Sequence, residues 1–388
     1  MLINRMFRYE IPTAVEFGCG SIRTLADHVK ALEGKKVLVV ADPGVVKAGV
    51  AERVTEPLRS AGIPYEIFSD IESDPDISSV EKGTELAKQQ DCDLVVGIGG
   101  GSSLDTAKAI GVMLTNDGHI RDYVGINKVK KPAAPVIAVP TTAGTGSELT
   151  IWSVLSDKKE EVKLSVGSPY NCPKLALLDP ELTVTLPPHV TAATGMDALT
   201  HALESYVNQK TQPISEGMSL QAMKMIAANL RLAVVQGDNL EARSNMLLAS
   251  TIAAMAFNPT RLGLAHALAL PLGAHFHIPH GLVNAILLPE VMQYNLRGNP
   301  AKFAEIAAIF GEKVEHLSVL DAAGRAVEAV RRLNRDIGIT QDLTDFGVKE
   351  EHLDQIAAEA MESGNVPVNP CRATAEDLKA ICRRLMRD

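Results

Sequence analysis

Cysteine is scarce in this chain: five residues, at positions 19, 92, 172, 371 and 382, with no CxxC spacing. An odd, unpatterned set excludes a disulfide framework and points to free thiols in a reducing cytoplasm. Basic blocks are missing as well. The formal net charge is −9 with both signs interspersed, which argues against a nucleic-acid partner. The first twenty residues, MLINRMFRYEIPTAVEFGCG, contain no apolar run of leader length. No uninterrupted apolar stretch of membrane-spanning length, about 18 residues, occurs anywhere. Neither export nor membrane attachment is expected, and the localisation read from the sequence is cytoplasmic. No Gly-Lys-Ser/Thr ending follows any glycine turn, so a Walker-type ATP site is disfavoured. Internal repeats, low-complexity segments and a nucleophile elbow are likewise absent.

What is present divides in two. At 388 residues and 46% apolar composition the chain is long enough for two ordinary cores. In the first half KKVLVVAD, IPYEIFSD, CDLVVGIGG and APVIAVP read as short buried strands, with EKGTELAKQQ and SSLDTAKAIGVML as helices between them. That alternation predicts a mostly parallel sheet with helical crossovers. After LPPHV the composition turns to Ala, Leu and Met at helical spacing without strands. The expected fold is therefore α/β followed by all-α, with domains at residues 1–186 and 187–388 meeting at Pro187 and Pro188.

Four residues of the helical half read together as one divalent-metal site. Asp197 and His201 stand at i, i+4 in TGMDALTHALESYV and project from one helix face. His266 opens a second apolar helix in GLAHALALPLG. His280 follows in IPHGLVNAILLP, after a break around Pro271, Gly273 and Pro279 that lets the chain fold back. One carboxylate with three imidazoles suits Fe(II), with Zn(II) as the alternative, and is less natural for a hard cation that wants only oxygens. Taken singly, each histidine also reads as an ordinary core or surface residue.

In the first half, Gly97, Gly99, Gly100, Gly101 and Ser102 form a turn after a buried strand and before a helix. Backbone N–H groups there can approach a pyrophosphate, and the helix N-terminus favours its charge. The spacing approximates the dinucleotide fingerprint but carries Ser102 in place of its last glycine. Asp42 ends the strand VLVVAD, where a carboxylate can bind adenosine ribose hydroxyls and repel a 2′-phosphate, favouring NAD over NADP. Asp42 also reads as the first residue of an Asp-Pro-Gly turn. Hydroxyls recur after another strand at Thr141, Thr142, Thr145 and Ser147, in a loop able to hold phosphate or ribose.

The strings GMDALTHALE, LGLAHALALPLG and IPHGLVNAILLP, preceded by GIGGGSSLDTAKAI and VPTTAGTGSE, resemble the iron-containing (group III) alcohol dehydrogenase family, in the family's order and over nearly the whole chain. The resemblance implies a Rossmann-like domain binding NAD(P), an all-helical domain holding the metal, and a substrate cleft between them. It assigns the metal to Asp197, His201, His266 and His280, and the loop from Thr141 to Ser147 to the nicotinamide half of the cofactor. Lys163 carries over as a cofactor contact, and Asp105 completes the expected cofactor set. Phe257 falls where the family lines its pocket. The family further implies a small alcohol or aldehyde as substrate and a homodimer or higher homo-oligomer.

One departure stands out. Many members have a histidine four residues after the third metal ligand, where this chain has Leu270. Its own His275 and His277 lie nearby in GAHFHIPHG, and His277 is the candidate proton relay, or else a supporting or surface residue. Arg261, in FNPTRLG, is either structural or placed to pair a substrate carboxylate. The expected reaction is hydride transfer between nicotinamide and a primary alcohol or aldehyde, with the metal as Lewis acid. The alternatives are a dehydrogenase of a hydroxy acid or semialdehyde, and a lyase resembling dehydroquinate synthase. The lyase would need a basic pocket, whereas AMAF and LALALPLG around the metal residues are apolar.

Overall fold

The computed structural model describes residues 6–72, 74–160 and 162–387. The first five residues of the stretch searched for a leader lie outside them. Two compact units emerge. One comprises Ile11–Leu186 and Asp238–Leu247, and the other a short N-terminal stretch ending at Glu10, Pro187–Gly237, and the chain from Leu248 onward. The composition alone predicts one division, at 186/187. The two transposed segments carry no compositional mark, because a segment's membership is decided by what it packs against.

In the α/β unit the order is β1 (Ala14–Phe17), α1 (Leu25–Ala31), β2 (Val37–Ala41), α2 (Pro43–Lys47), α3 (Val50–Ser60), β3 (Tyr65–Phe68), α4 (Ile77–Gln89), β4 (Leu94–Gly99) and α5 (Gly101–Thr115). There follow β5 (Gly125–Ile126), β6 (Val136–Pro140), β7 (Trp152–Asp157), β8 (Val162–Gly167) and β9 (Leu175–Leu178). Six strands form a sheet in the order β1-β9-β6-β4-β2-β3, every pair parallel. A small second sheet, β5-β8-β7, pairs β7 and β8 antiparallel.

The unbroken apolar run of β2 follows from burial on both faces. Val37, Val39 and Ala41 enter one core cluster with Leu94, Val96 and Ile98, while Leu38 and Val40 enter the other with Val95 and Ile110. A strand with helices on both sides has no solvent face and needs no polar alternation. From β2 the chain steps outward to β3, then returns to the other side of β2 for β4 and β6. This reversal of direction is a topological switch point, where open α/β sheets bind ligands at the carboxyl ends of their strands.

The second unit is built on α6 (Pro188–Val207), α7 (Pro213–Val235), α8 (Leu240–Phe257), α9 (Leu264–Phe276), α10 (His280–Asn295), α11 (Pro300–Ile309), α12 (Val319–Asp336), α13 (Leu353–Met361) and α14 (Ala375–Arg383). The first half of α8 belongs to the α/β unit. Prolines open α6, α7 and α11, where a missing N–H costs nothing. Ser318 caps α12 by accepting from the Asp321 N–H. The predicted break around Pro271, Gly273 and Pro279 falls at its last member, with Pro279 directly preceding α10. Pro271 lies inside α9, and the chain turns at His277, which ends the helix with φ 53°. Proline lacks only one N–H, and the surrounding helix absorbs the loss. No helix among the described residues is long and apolar enough to cross a membrane.

Candidate functional site

Three helices assemble the metal-binding candidates. α6 supplies Asp197 and His201 one turn apart, α9 supplies His266 in its first turn, and α10 begins at His280. One ligand atom from each of the four lies within 4.8 Å of all the others. Asp197 Oδ1 stands 3.6 Å from Nε2 of His266 and of His280, and 3.8 Å from Nε2 of His201. These spacings are too long for hydrogen bonds. They approximate the separation of donors set tetrahedrally around an ion at about 2.1 Å. The donor chemistry and the spacing both fit a divalent transition metal.

Asp197, His201 and His266 are buried, whereas 45% of the His280 side chain is exposed, so the set is closed on the inside and open at one ligand. Burial opposes the charge of Asp197, but the imidazoles of His201, His280 and His266 outweigh it and hold the carboxyl well below the usual range. Burial likewise opposes a proton on His266, yet Asp197 and Glu204 push that imidazole up to about 9. A site that concentrates this much affinity for positive charge is suited to a cation. His201 stacks on His266 with ring centroids 4.7 Å apart, and Phe257 packs against His201 itself with centroids 4.4 Å apart. Phe257 therefore stands directly beside the four candidate ligands.

Two residues of this site escaped the sequence reading. Asn284, one turn after His280 on α10, donates from Nδ2 to Asp197 Oδ1 at 2.9 Å, and its Oδ1 is buried without a hydrogen-bond partner among the described residues. Glu204, seven residues after Asp197 on α6, bonds His266 Nδ1 at 2.7 Å. Both were detectable as polar residues at i+4 or i+7 from a ligand, on an otherwise apolar helix face.

At the α/β unit's switch point, the cofactor candidates cluster at the carboxyl ends of three adjacent parallel strands. Asp42 follows β2, the glycine turn follows β4, and the Thr141–Ser147 loop follows β6. Asp42 caps α2, accepting the Val45 N–H at 3.0 Å. Gly100 caps α5, and Gly101 opens it with so little clearance that a Cβ there would sit 2.9 Å from the Thr145 methyl. The turn and the hydroxyl loop thus form one surface. Asp105 Oδ1 accepts from Ser147 Oγ at 2.5 Å and Oδ2 from Val154 N at 2.9 Å. Lys108, a fully buried lysine that the sequence reading passed over, donates to the Ser147 carbonyl at 3.0 Å and lies 3.0 Å from Asp105. Lys163, on β8, donates to Ser156 Oγ at 2.9 Å and pairs with Asp74.

His277 is exposed, three residues before His280. The neighbouring His275 is engaged with Glu359 at 2.8 Å. The Arg261 guanidinium occupies the space that a side chain at Gly364 would take.

Residues 12–180 match the iron-containing alcohol dehydrogenase family, and residues 191–386 match the C-terminal part of the Fe-containing alcohol dehydrogenase family. The 1,3-propanediol dehydrogenase of Klebsiella pneumoniae is 43% identical over 98% of this chain and 99% of that protein. A crystal structure of 1,3-propanediol oxidoreductase, also 43% identical, superposes with a TM-score of 0.96 over 98% of this chain and 100% of that one. The sulfoacetaldehyde reductase of Bifidobacterium kashiwanohense, solved with NAD+, is 32% identical with a TM-score of 0.88, covering 98% of this chain and 99% of its own. The chain belongs to the iron-containing alcohol dehydrogenase family. It is an NAD-dependent oxidoreductase of alcohols and aldehydes, with NAD and iron as its cofactors. The alternatives, a dehydrogenase of a hydroxy acid or semialdehyde and a lyase, are not favoured, since the similar proteins are named as propanediol, butanol and lactaldehyde dehydrogenases or reductases.

Proposed function

We propose that this enzyme interconverts short primary alcohols or diols with their aldehydes. The observation that carries the proposal is the convergence of Asp197, His201, His266 and His280 on one point; the name of the 43%-identical relative supports the substrate class. Those four side chains hold the ion. When bound there, iron supplies Lewis-acid polarisation of the substrate oxygen, and the nicotinamide supplies or accepts the hydride.

The chain's own residues do the rest. Asp42 accepts the adenosine ribose hydroxyls, and Gly99, Gly100, Gly101 and Ser102 present backbone N–H groups to the pyrophosphate. Thr141, Thr142, Thr145 and Ser147 hold the nicotinamide half of the cofactor, and Asp105 and Lys108 fix the position of that loop. Lys163 has three N–H donors, of which Asp74 and Ser156 engage two, and the third contacts cofactor. Phe257 lines the substrate pocket with apolar surface. Arg261 belongs to the framework around Gly364, and His277 passes the alcohol proton to solvent. All five cysteines are free, which supports a cytoplasmic setting. Val15 and Phe17 are exposed on the edge strand β1, which supports a homo-oligomer.

The test is a screen of the Fe(II)-loaded protein against primary alcohols, diols and hydroxy acids with NAD and NADP. Turnover of alcohols and diols with NAD, lost on chelation, is expected. Activity unaffected by complete removal of metal would overturn the proposal.

A further inference from the structure

Glu204 is a buried acid in a helical unit whose four proposed metal ligands already account for the chemistry, and it is 2% exposed. Its carboxylate receives three nitrogens. Oε2 accepts from Gly263 N at 2.9 Å and bonds His266 Nδ1 at 2.7 Å, while Oε1 accepts from Ala265 N at 2.7 Å. Gly263 precedes α9 and offers no side-chain cap of its own. Glu204, reaching across from α6, therefore takes up backbone donors that the start of α9 leaves open. The absence of a side chain at 263 is part of the same arrangement, for a Cβ there would stand 2.8 Å from Glu204 Oε1.

We propose that Glu204 is the positioning residue of the metal centre, fixing both the tautomer of His266 and the place of α9 relative to Asp197 and His201. The inference rests on the metal assignment made above. Both oxygens already act as acceptors, from the Gly263 and Ala265 N–H groups, so the His266 nitrogen facing them carries the hydrogen. The Nε2 lone pair, 3.6 Å from Asp197 Oδ1, is thereby left for the ion. Because Glu204 and the two ligands Asp197 and His201 share α6, one rigid helix sets the orientation of three of the four donors. Outer carboxylates of this kind typically contribute ten- to a hundredfold in metal affinity.

Glu204→Gln separates positioning from mere packing. Glutamine has one acceptor oxygen for three N–H donors, so its NH2 group must face either His266 Nδ1 or the backbone of α9. Zn(II) affinity, measured by competition with a chromophoric chelator, is expected to fall by roughly ten- to a hundredfold, with NAD binding unchanged. Gly263→Ala, which crowds the carboxylate without touching a ligand, is expected to move Zn(II) affinity in the same direction.

If Glu204→Gln does not fold, Gly263→Ala and a long-range 1H–15N spectrum of the zinc-loaded wild type decide the matter. His266 is expected to be protonated at Nδ1, and an unprotonated Nδ1 would overturn the proposal. Folded variants with wild-type Zn(II) affinity would also overturn it, leaving Glu204 a structural cap. A wild-type protein that takes up no Zn(II) would instead sink the metal assignment itself.

Discussion

The Ser103 hydroxyl accepts from the Asp42 N–H at 3.2 Å and donates to Asp42 Oδ2 at 3.0 Å, tying the end of β2 to the first turn of α5. Asp42 is thus held at the glycine turn by its backbone and its carboxylate at once, and one oxygen also caps α2. Asp42→Gly removes the group expected to bind the ribose hydroxyls and to repel a 2′-phosphate. The ratio of kcat/KM with NADP to that with NAD should rise by roughly tenfold, equivalent to about 1.4 kcal/mol. An unchanged ratio in steady-state assays would reduce Asp42 to a helix cap.

Replacing His280 by Ala takes away one of four proposed donors at the exposed side of the cluster, so the fold should tolerate it. Iron content after dialysis and turnover should each drop by about a hundredfold or more, while nucleotide binding measured by fluorescence stays intact. Full turnover by a metal-free His280→Ala protein is the result that would sink the ligand assignment.

For His277, side chain and backbone make opposite predictions. His277→Ala should slow turnover by roughly a hundredfold at neutral pH if the imidazole relays the proton, with partial recovery at high pH. The residue also sits at φ 53°, a conformation that disfavours every residue except glycine, by about 1 kcal/mol. His277→Gly should therefore be as slow as His277→Ala yet melt at a higher temperature. Normal turnover and an unshifted pH profile in both variants would remove His277 from the mechanism.

Cys382 is buried, and that burial pushes its thiol up to about 12. It should resist iodoacetamide at pH 8.5 in the native protein while the exposed Cys19 is labelled. The linkage has a definite sign. Because the folded pKa lies above the unfolded value, the thiol's contribution to stability is intact below about pH 8.5 and is lost as pH rises toward 12. Denaturation curves of Cys382→Ala should lose less stability than wild type over that alkaline window; equal slopes would contradict the burial argument.

Much of this was legible in the sequence because the relevant signals are local. The β2 and β4 runs are apolar throughout, the glycine turn lies between strand and helix, and Asp197 and His201 share a helix face by spacing alone. The strand Leu175–Leu178 was not legible, since LALL carries no period that separates strand from helix. Glu204, Asn284 and Lys108 were missed for a related reason. Each works through a partner distant in sequence, at His266, Asp197 and Ser147 respectively, so spacing could mark Glu204 and Asn284 as candidates but the folded chain is needed to name the partners.

The transposed segment Asp238–Leu247 bears on how the molecule can be taken apart. Arg243, 3% exposed, donates to the Leu186 carbonyl at 3.0 Å, so the last residue before Pro187 is anchored by a side chain some sixty positions downstream. No single scission of the backbone releases a complete nucleotide-binding unit. A gene fragment ending at the apparent boundary leaves that anchor behind, and the remaining fragment carries the stranded first half of α8.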